Sequence, residues 1–301
     1  MIRNFDELID QVKNNASVKR VAVVAAHDRH TLEAVLKARA DGIAEPVLIG
    51  DAGKISAILK DLSAETAGIS IIDAKGDGDA ARVGVLLVHE GKADFIMKGI
   101  LQTADLLKAV VDKETGLRTG DGIMSHFVVN EVPAYHKLLV TSDGGMVTYP
   151  DLEQKRGILE NAVEVLLSLG YECPKVAALA AVETPNPKMP EAMDAFELKK
   201  MNQQGIIQNC LVEGPISYDL AVSTESAEAK GYDSPVAGDA DILIVPNITA
   251  GNILGKALVF SAGAKMAGFI TGARVPVVLT SRGATAEEKY LSIVLSAAYA
   301  R

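Results

Sequence analysis

Ser281, Arg282 and Glu288 lie within ten residues, TSRGATAEEK (280–289), and side chains of these types could do chemistry together. The stretch follows the β-rich run PVVL (276–279) and opens the last amphipathic segment, so the Ser-Arg-Gly triplet is expected where a strand ends and a helix begins. Such a junction offers unpaired backbone N–H groups and the positive end of a helix dipole, which together suit an anion. The Arg282 guanidinium adds a planar set of donors for a phosphate or a developing oxyanion. Glu288 supplies an acid or base one turn into the same helix. A purely structural role competes with this reading. Thr285-Ala286-Glu287-Glu288 has the T-x-x-E form of a capping box, in which Thr285 bonds the amide three residues on and Glu288 reaches back to the cap.

Other polar residues fall at strand ends, where open α/β sheets bind ligands. Lys98 closes the run DFIMKG (94–99) just ahead of a helix and could meet a phosphate, or simply be a solvated loop lysine. Arg118, in GLRTGDG, sits on a Gly-rich loop that reads either as an anion-closing flap or as a surface turn. Asn252 and Lys256 follow DILIVPN (241–247) and repeat the theme of strand, loop and helix start. Several other chemistries are excluded. Gly76 to Ala81 matches G-x-G-x-x-A, but it puts Asp77 and Asp79 where a pyrophosphate would lie, which argues against nicotinamide binding. The five histidines show no metal-ligand spacing, and no G-x-S-x-G elbow occurs.

These residues have to be positioned by a layered fold. The 301 residues are 49% hydrophobic but only 4% aromatic, which fits helices packed on a sheet better than an all-β shell. A formal charge of −9 argues against nucleic acid as partner, since that needs a basic stripe. No apolar run is long enough to span a membrane, and the charged start MIRNFDELIDQVKNN does not read as an export signal. Cys173 and Cys210 are far apart in sequence and suggest neither zinc nor a disulfide framework, so a reducing cytoplasm is expected. Apolar runs at 18–26, 46–50, 68–73 and 94–99 alternate with helical segments, which implies a parallel sheet covered on both faces. After a Gly- and charge-rich stretch, runs at 126–132 and 136–141 are close enough to pair. A long helix over 152–169 ends at Gly170, and alternation resumes to the C-terminus. The pattern predicts an α/β protein of two units with a boundary near 139.

Six segments carry a resemblance over nearly the whole chain: ADFIMKGILQTADLL (93–107), GLRTGDGIMSH (116–126), AVETPNPKMPEAMDA (181–195), VEGPISYDLAVS (212–223), ADILIVPNITAGNILGKAL (240–258) and PVVLTSRG (276–283). Together, and in this order, they resemble the phosphate acetyl/butyryltransferases, closest to the butyryl branch. The resemblance implies two α/β domains with mainly parallel sheets, like those of isocitrate and isopropylmalate dehydrogenases, with an active-site cleft between them. It also implies a discontinuous first domain, 1–139 with 281–301, and a second of 140–280, because the last helix of such proteins returns to the first. It implies transfer of a short acyl group, butyryl preferred, between coenzyme A and inorganic phosphate. No tightly bound cofactor or metal is implied, and a homodimer or larger homo-oligomer is expected.

Carried onto this sequence, the resemblance makes Ser281 and Arg282 a catalytic pair. Glu288 stands where acetyl-transferring members have an aspartate thought to be the base. Lys98, Arg118, Ser125, Asn252 and Lys256 fall in matching segments and are expected as phosphate or coenzyme A contacts. A helix N-terminus and Arg282 would both lower the pKa of Glu288 and weaken it as a base, unless burial opposes them. Rival readings are an acetyl-preferring enzyme of the same class and a catalytically silent acyl-CoA sensor; a metal-dependent dehydrogenase of similar architecture lacks an acidic ligand cluster.

Overall fold

Continuous apolar strands separated by amphipathic helices settle the architecture. The computed structural model describes residues 2–14, 17–120, 122–281 and 283–300. These form an α/β protein of mostly parallel strands that divides into two compact units. The first comprises Phe5–Gly122 with Ala267–Arg301, and the second Met1–Asn4 with Ile123–Met266.

The first unit starts with α1 (Phe5–Asn14), which buries Phe5, Leu8 and Val12 along one face. Then follow β1 (Lys19–Val24), α2 (Arg29–Ala40), β2 (Ala44–Gly50), α3 (Ala52–Asp61), β3 (Ser70–Asp73), α4 (Asp77–His89), β4 (Phe95–Lys98) and α5 (Thr103–Val110). The second unit holds β5 (Ser125–Glu131), β6 (Leu139–Ser142), α6 (Leu152–Ser168), β7 (Lys175–Leu179), α7 (Pro190–Gln203), β8 (Leu211–Ile216), α8 (Tyr218–Val222), α9 (Thr224–Ala229), β9 (Ile242–Ile244) and α10 (Ile248–Ala262). The chain then returns to the first unit through β10 (Lys265–Thr271), β11 (Val277–Val278) and α11 (Ala286–Tyr299).

In the first unit the strand order is β3-β2-β1-β4-β11-β10, parallel except that β10 runs against β11. Every residue of β4 is buried, as a central parallel strand covered on both faces requires. The chain lays β2 and β3 to one side of β1 and then places β4 on the other. The order therefore reverses between β1 and β4, and the carboxyl ends of these strands frame the usual ligand crevice of such sheets. In the second unit the order is β5-β6-β9-β7-β8, with only β5 antiparallel to its neighbour. Its core packs Leu139, Ala177, Ile216, Leu220, Leu243 and Val245 together. The long helix α6 ends as its sequence suggests, with Gly170 at a φ of 91° just past the cap.

The units change over at 122/123 and 266/267, whereas the expected changes lie near 139, from the sequence pattern, and at 280/281, from the resemblance. Hydrogen bonding explains the offset. β5 pairs with β6, and β6 with β9, so both belong to the second unit. β10 pairs with β11, and β11 with β4, which draws them into the first.

Candidate active site

Three strand ends in the first unit build the site. Beyond β1 the chain turns sharply at Ala25, whose φ is 54°, and runs through His27 to Asp28. Beyond β4 it passes through Gly99, which bonds back to β1: Gly99 N–H donates to Val24 O at 2.7 Å and Ile100 N–H to Ala25 O at 3.0 Å. The two loops press so closely that a Cβ on Gly99 would lie 2.1 Å from Ala25 O, so only glycine fits. Lys98, 2% exposed, donates from Nζ to the carbonyls of Gly99 at 3.2 Å and Leu101 at 3.1 Å. Its ammonium thereby braces this loop.

Beyond β11, Thr280 and Ser281 lead into a tight turn. Ala284 N–H donates to Ser281 O at 3.1 Å, and Gly283 N–H to Ser281 Oγ at 3.4 Å, leaving the serine exposed at the strand end. Arg282 lies outside the described residues. Thr285 then caps α11, its Oγ1 accepting from Glu288 N–H at 3.1 Å. That bond is one half of a capping box. The return bond from Thr285 N–H to the Glu288 carboxylate is not made, and among the described residues no donor is bonded to that carboxylate.

Glu288 is half-buried, and its carboxyl is pushed above the usual range by burial, opposed by the neighbouring Lys289 ammonium. Burial thus outweighs the opposing Lys289 charge, the reverse of what a helix N-terminus alone would do. A carboxyl with a raised pKa exchanges protons more readily near neutral pH than an ordinary glutamate.

The side chain that sequence reasoning missed is Lys289. It is 3% exposed and donates from Nζ to Thr31 Oγ1 at 3.2 Å and Thr280 Oγ1 at 3.4 Å, with Asp28 Oδ2 at 3.7 Å. Burial lowers its pKa, and Asp28 and Glu288 oppose that shift. The signal was present in the helical period: Lys289 shares a face with Ile293 and Ala297, both buried.

The other expected residues distribute differently. Arg118 is exposed and bridges to Ala273 in the turn joining β10 to β11. Since Ile270 pairs with Val277, that turn lies at the amino end of β11, and Ser281 lies beyond its carboxyl end. The structure therefore does not bring Arg118 to Ser281. In the second unit Ser125 is fully buried in β5, its Oγ accepting from Asn161 Nδ2 at 3.0 Å. Asn252 and Lys256 are exposed one turn apart on α10, whose N-cap Asn247 accepts from Ala250 N–H at 3.1 Å.

A groove of about 730 Å3 between α4 and α5 is lined by Arg82, Leu86, His89, Lys108 and neighbours, none of them an expected site residue. On the carboxyl side, the Gly76–Ala81 motif forms the start of α4. There Asp79 accepts from Lys75 N–H, and Asp77 occupies the first turn, so the acidic character that argues against pyrophosphate persists in the fold. Among the described residues no cluster of His, Cys, Asp and Glu could hold a metal ion, and no helix is long and apolar enough to cross a membrane.

Residues 77–297 match the Phosphate acetyl/butaryl transferase family. The chain is 46% identical to the phosphate acetyltransferase of Thermotoga maritima over 98% of its own length and 99% of that protein's. It is 43% identical to the phosphate butyryltransferase of Clostridium acetobutylicum, over 99% of this chain and 98% of the other. Among solved structures, a branched-chain phosphotransacylase from Enterococcus faecalis superposes with a TM-score of 0.85 at 33% identity, covering 94% of this chain and 99% of that one.

Proposed function

This chain belongs to the phosphate acetyl/butaryl transferase family, and from that premise we propose that it moves a short acyl group, butyryl in preference to acetyl, between coenzyme A and inorganic phosphate. The observation that carries the catalytic assignment is the unspent carboxylate of Glu288, held half-buried one turn into a helix that begins just after the exposed Ser281.

The reaction is acyl-CoA + phosphate ⇌ acyl phosphate + coenzyme A. A phosphate oxygen attacks the thioester carbonyl, the carbonyl oxygen becomes negative in a tetrahedral intermediate, and collapse breaks the C–S bond. Arg282 binds the phosphate and the developing charge. The Ser281 hydroxyl donates to the sulfur or carbonyl region. Preorganised donors of this kind are worth roughly 10²–10³ in rate. The departing sulfur takes a proton from Glu288. In the reverse direction the carboxylate removes the thiol proton, which at a free-thiol pKa of about 8.5 is mostly in place at neutral pH. The raised pKa of Glu288 suits a group that must both hold and release that proton.

Lys98 contributes by bracing the β4–α5 loop beside Ser281, and buried Ser125 by its bond with Asn161. Asn252 and Lys256 are the proposed contacts for coenzyme A phosphates, a reading their exposure on α10 supports. No tightly bound cofactor enters this scheme, and with these substrates the proposed location is the cytoplasm. The same helix carries Ile253 at 63% and Phe260 at 84% exposure, which supports a homo-oligomer.

Acetyl preference is the second reading, favoured by the Thermotoga relative. The test follows thiol release from acetyl-, propionyl-, butyryl- and isobutyryl-CoA with and without phosphate. Phosphate-dependent release that is fastest with butyryl-CoA is expected, and it should fall roughly 10²–10³-fold in Arg282→Ala. Release that ignores phosphate overturns the activity, and fastest release with acetyl-CoA overturns the preference.

A further inference from the structure

Lys289 is a costly residue for stability alone. Its ammonium is buried in the first turn of α11 and touches Thr31 in the first turn of α2, so it sits at two helix N-termini whose dipoles repel a cation. Its ion-pair partner among the described residues is Asp28 at 3.7 Å, and that carboxylate is already bonded to Thr31 N–H and Thr31 Oγ1 as the cap of α2. An apolar side chain of similar length in such a place is commonly neutral or stabilising. The cation does supply a link. Its Nζ ties Thr280, which lies beyond β11 immediately before Ser281, to Asp28 and Thr31 at the start of α2 beyond β1, spanning the end of β4 between those strands.

We infer that Lys289 is a positioning residue for Ser281: anchored to Thr31 and Asp28, it holds Thr280 by a hydrogen bond and so fixes where the Ser281 hydroxyl meets the thioester. This rests on the acyl transfer proposed above. A hydroxyl that must meet one atom of a substrate loses rate steeply when displaced, by roughly 10²-fold for about 1 Å. Lys289 therefore acts on turnover, while coenzyme A affinity, which is set elsewhere, changes little.

The test compares Lys289→Met and Thr280→Val, each alone and combined with Ser281→Ala. The readouts are phosphate-dependent thiol release, melting temperature and amide hydrogen exchange of residues 280–284. Lys289→Met is expected to lower kcat roughly 10–100-fold, with KM for acyl-CoA within about twofold and a melting temperature equal to or above wild type. Thr280→Val, which removes the acceptor and keeps the shape, should reproduce the direction of the effect. In the Ser281→Ala background either change should cost less than about threefold, because the residue it positions is gone. Exchange at 280–284 should quicken in both variants. The inference is overturned by wild-type kcat in Lys289→Met, by an equal cost with and without Ser281, or by unchanged exchange at 280–284. Exchange decides the positioning role even if the wild-type protein releases no thiol, an outcome that would instead sink the proposed acyl transfer.

Discussion

Two helix starts, those of α6 and α11, have the same outline and use it differently. At α6 the box is closed: Gln154 N–H donates to Asp151 Oδ1 at 2.8 Å, and Asp151 N–H donates to Gln154 Oε1 at 3.0 Å. At α11 only the outward half exists, from Glu288 N–H to Thr285 Oγ1, and the acidic side chain is left without a donor among the described residues. Both follow a strand and a turn. Closing the box satisfies two backbone donors of a helix N-terminus. Leaving it open forgoes one bond and keeps a half-buried carboxyl with a raised pKa where the chain has just passed Ser281. A motif in sequence thus states which bonds are available, and the surroundings decide which are made.

The largest break in this comparison is expected from Glu288→Gln. If its carboxyl exchanges the thiol proton, kcat should fall by about 10²–10⁴, since a neutral amide of the same shape cannot do so. If it is merely a cap, Gln would serve as well, as Gln154 does at α6. Steady-state thiol release from butyryl-CoA, measured with saturating phosphate, separates the two; retention of wild-type kcat would close the matter in favour of capping.

The sequence carried the layered fold because its signals were local and repeated. β1, β4 and β7 contain the unbroken apolar runs 21–24, 95–97 and 176–179, and α6 has a capping signature at one end and Gly170 at the other. The pairing of 126–132 with 136–141 was legible from proximity alone and is realised by β5 and β6. What could not be read was non-local. β10 and β11 join the first unit through hydrogen bonds to a strand far earlier in the chain, which no window of sequence contains. At the site, the Ser281 and Glu288 spacing identified the junction of strand and helix. The sign of the Glu288 shift needed burial, which spacing does not supply. Arg118 shows the opposite limit: a basic residue on a Gly-rich loop looks ready to close on an anion, but its bridge to Ala273, at the amino end of β11, depends on strand pairing that the loop's own sequence does not contain. Lys289 went unnoticed because a lysine after two glutamates reads as a solvated helix face, although its period places it with Ile293.

A smaller effect sharpens the comparison from the α6 side. Asp151→Ala removes the acceptor for Gln154 N–H and opens that box, and should destabilise the protein by about 1 kcal/mol, the usual cost of losing such a cap. Thiol release at a temperature well below the transition should stay at the wild-type rate. Urea titration gives the first quantity and steady-state assay the second. A drop in kcat without a drop in stability would mean that the two helix starts are not divided between structure and chemistry.

The smallest effect has a sign rather than a size. In the unfolded chain Glu288 titrates at about its usual 4.5, and in the folded protein it titrates higher because burial disfavours the charged form. Below 4.5 it is protonated in both states and contributes nothing. As pH rises from there to the folded value, the unfolded state releases its proton first. The folded state then binds more protons, and stability falls with pH until both are ionised. Glu288→Gln carries no such burden, so its melting temperature minus that of wild type should be near zero at low pH, grow positive through that window and then level off. A capping carboxylate gives the opposite sign, because its charge would stabilise the helix N-terminus once ionised. Melting curves of the two proteins at several pH values between about 4 and 8, spanning the usual carboxylate range and neutrality, decide between them; a variant that melts below wild type above that window would return Glu288 to the role Gln154 has at α6.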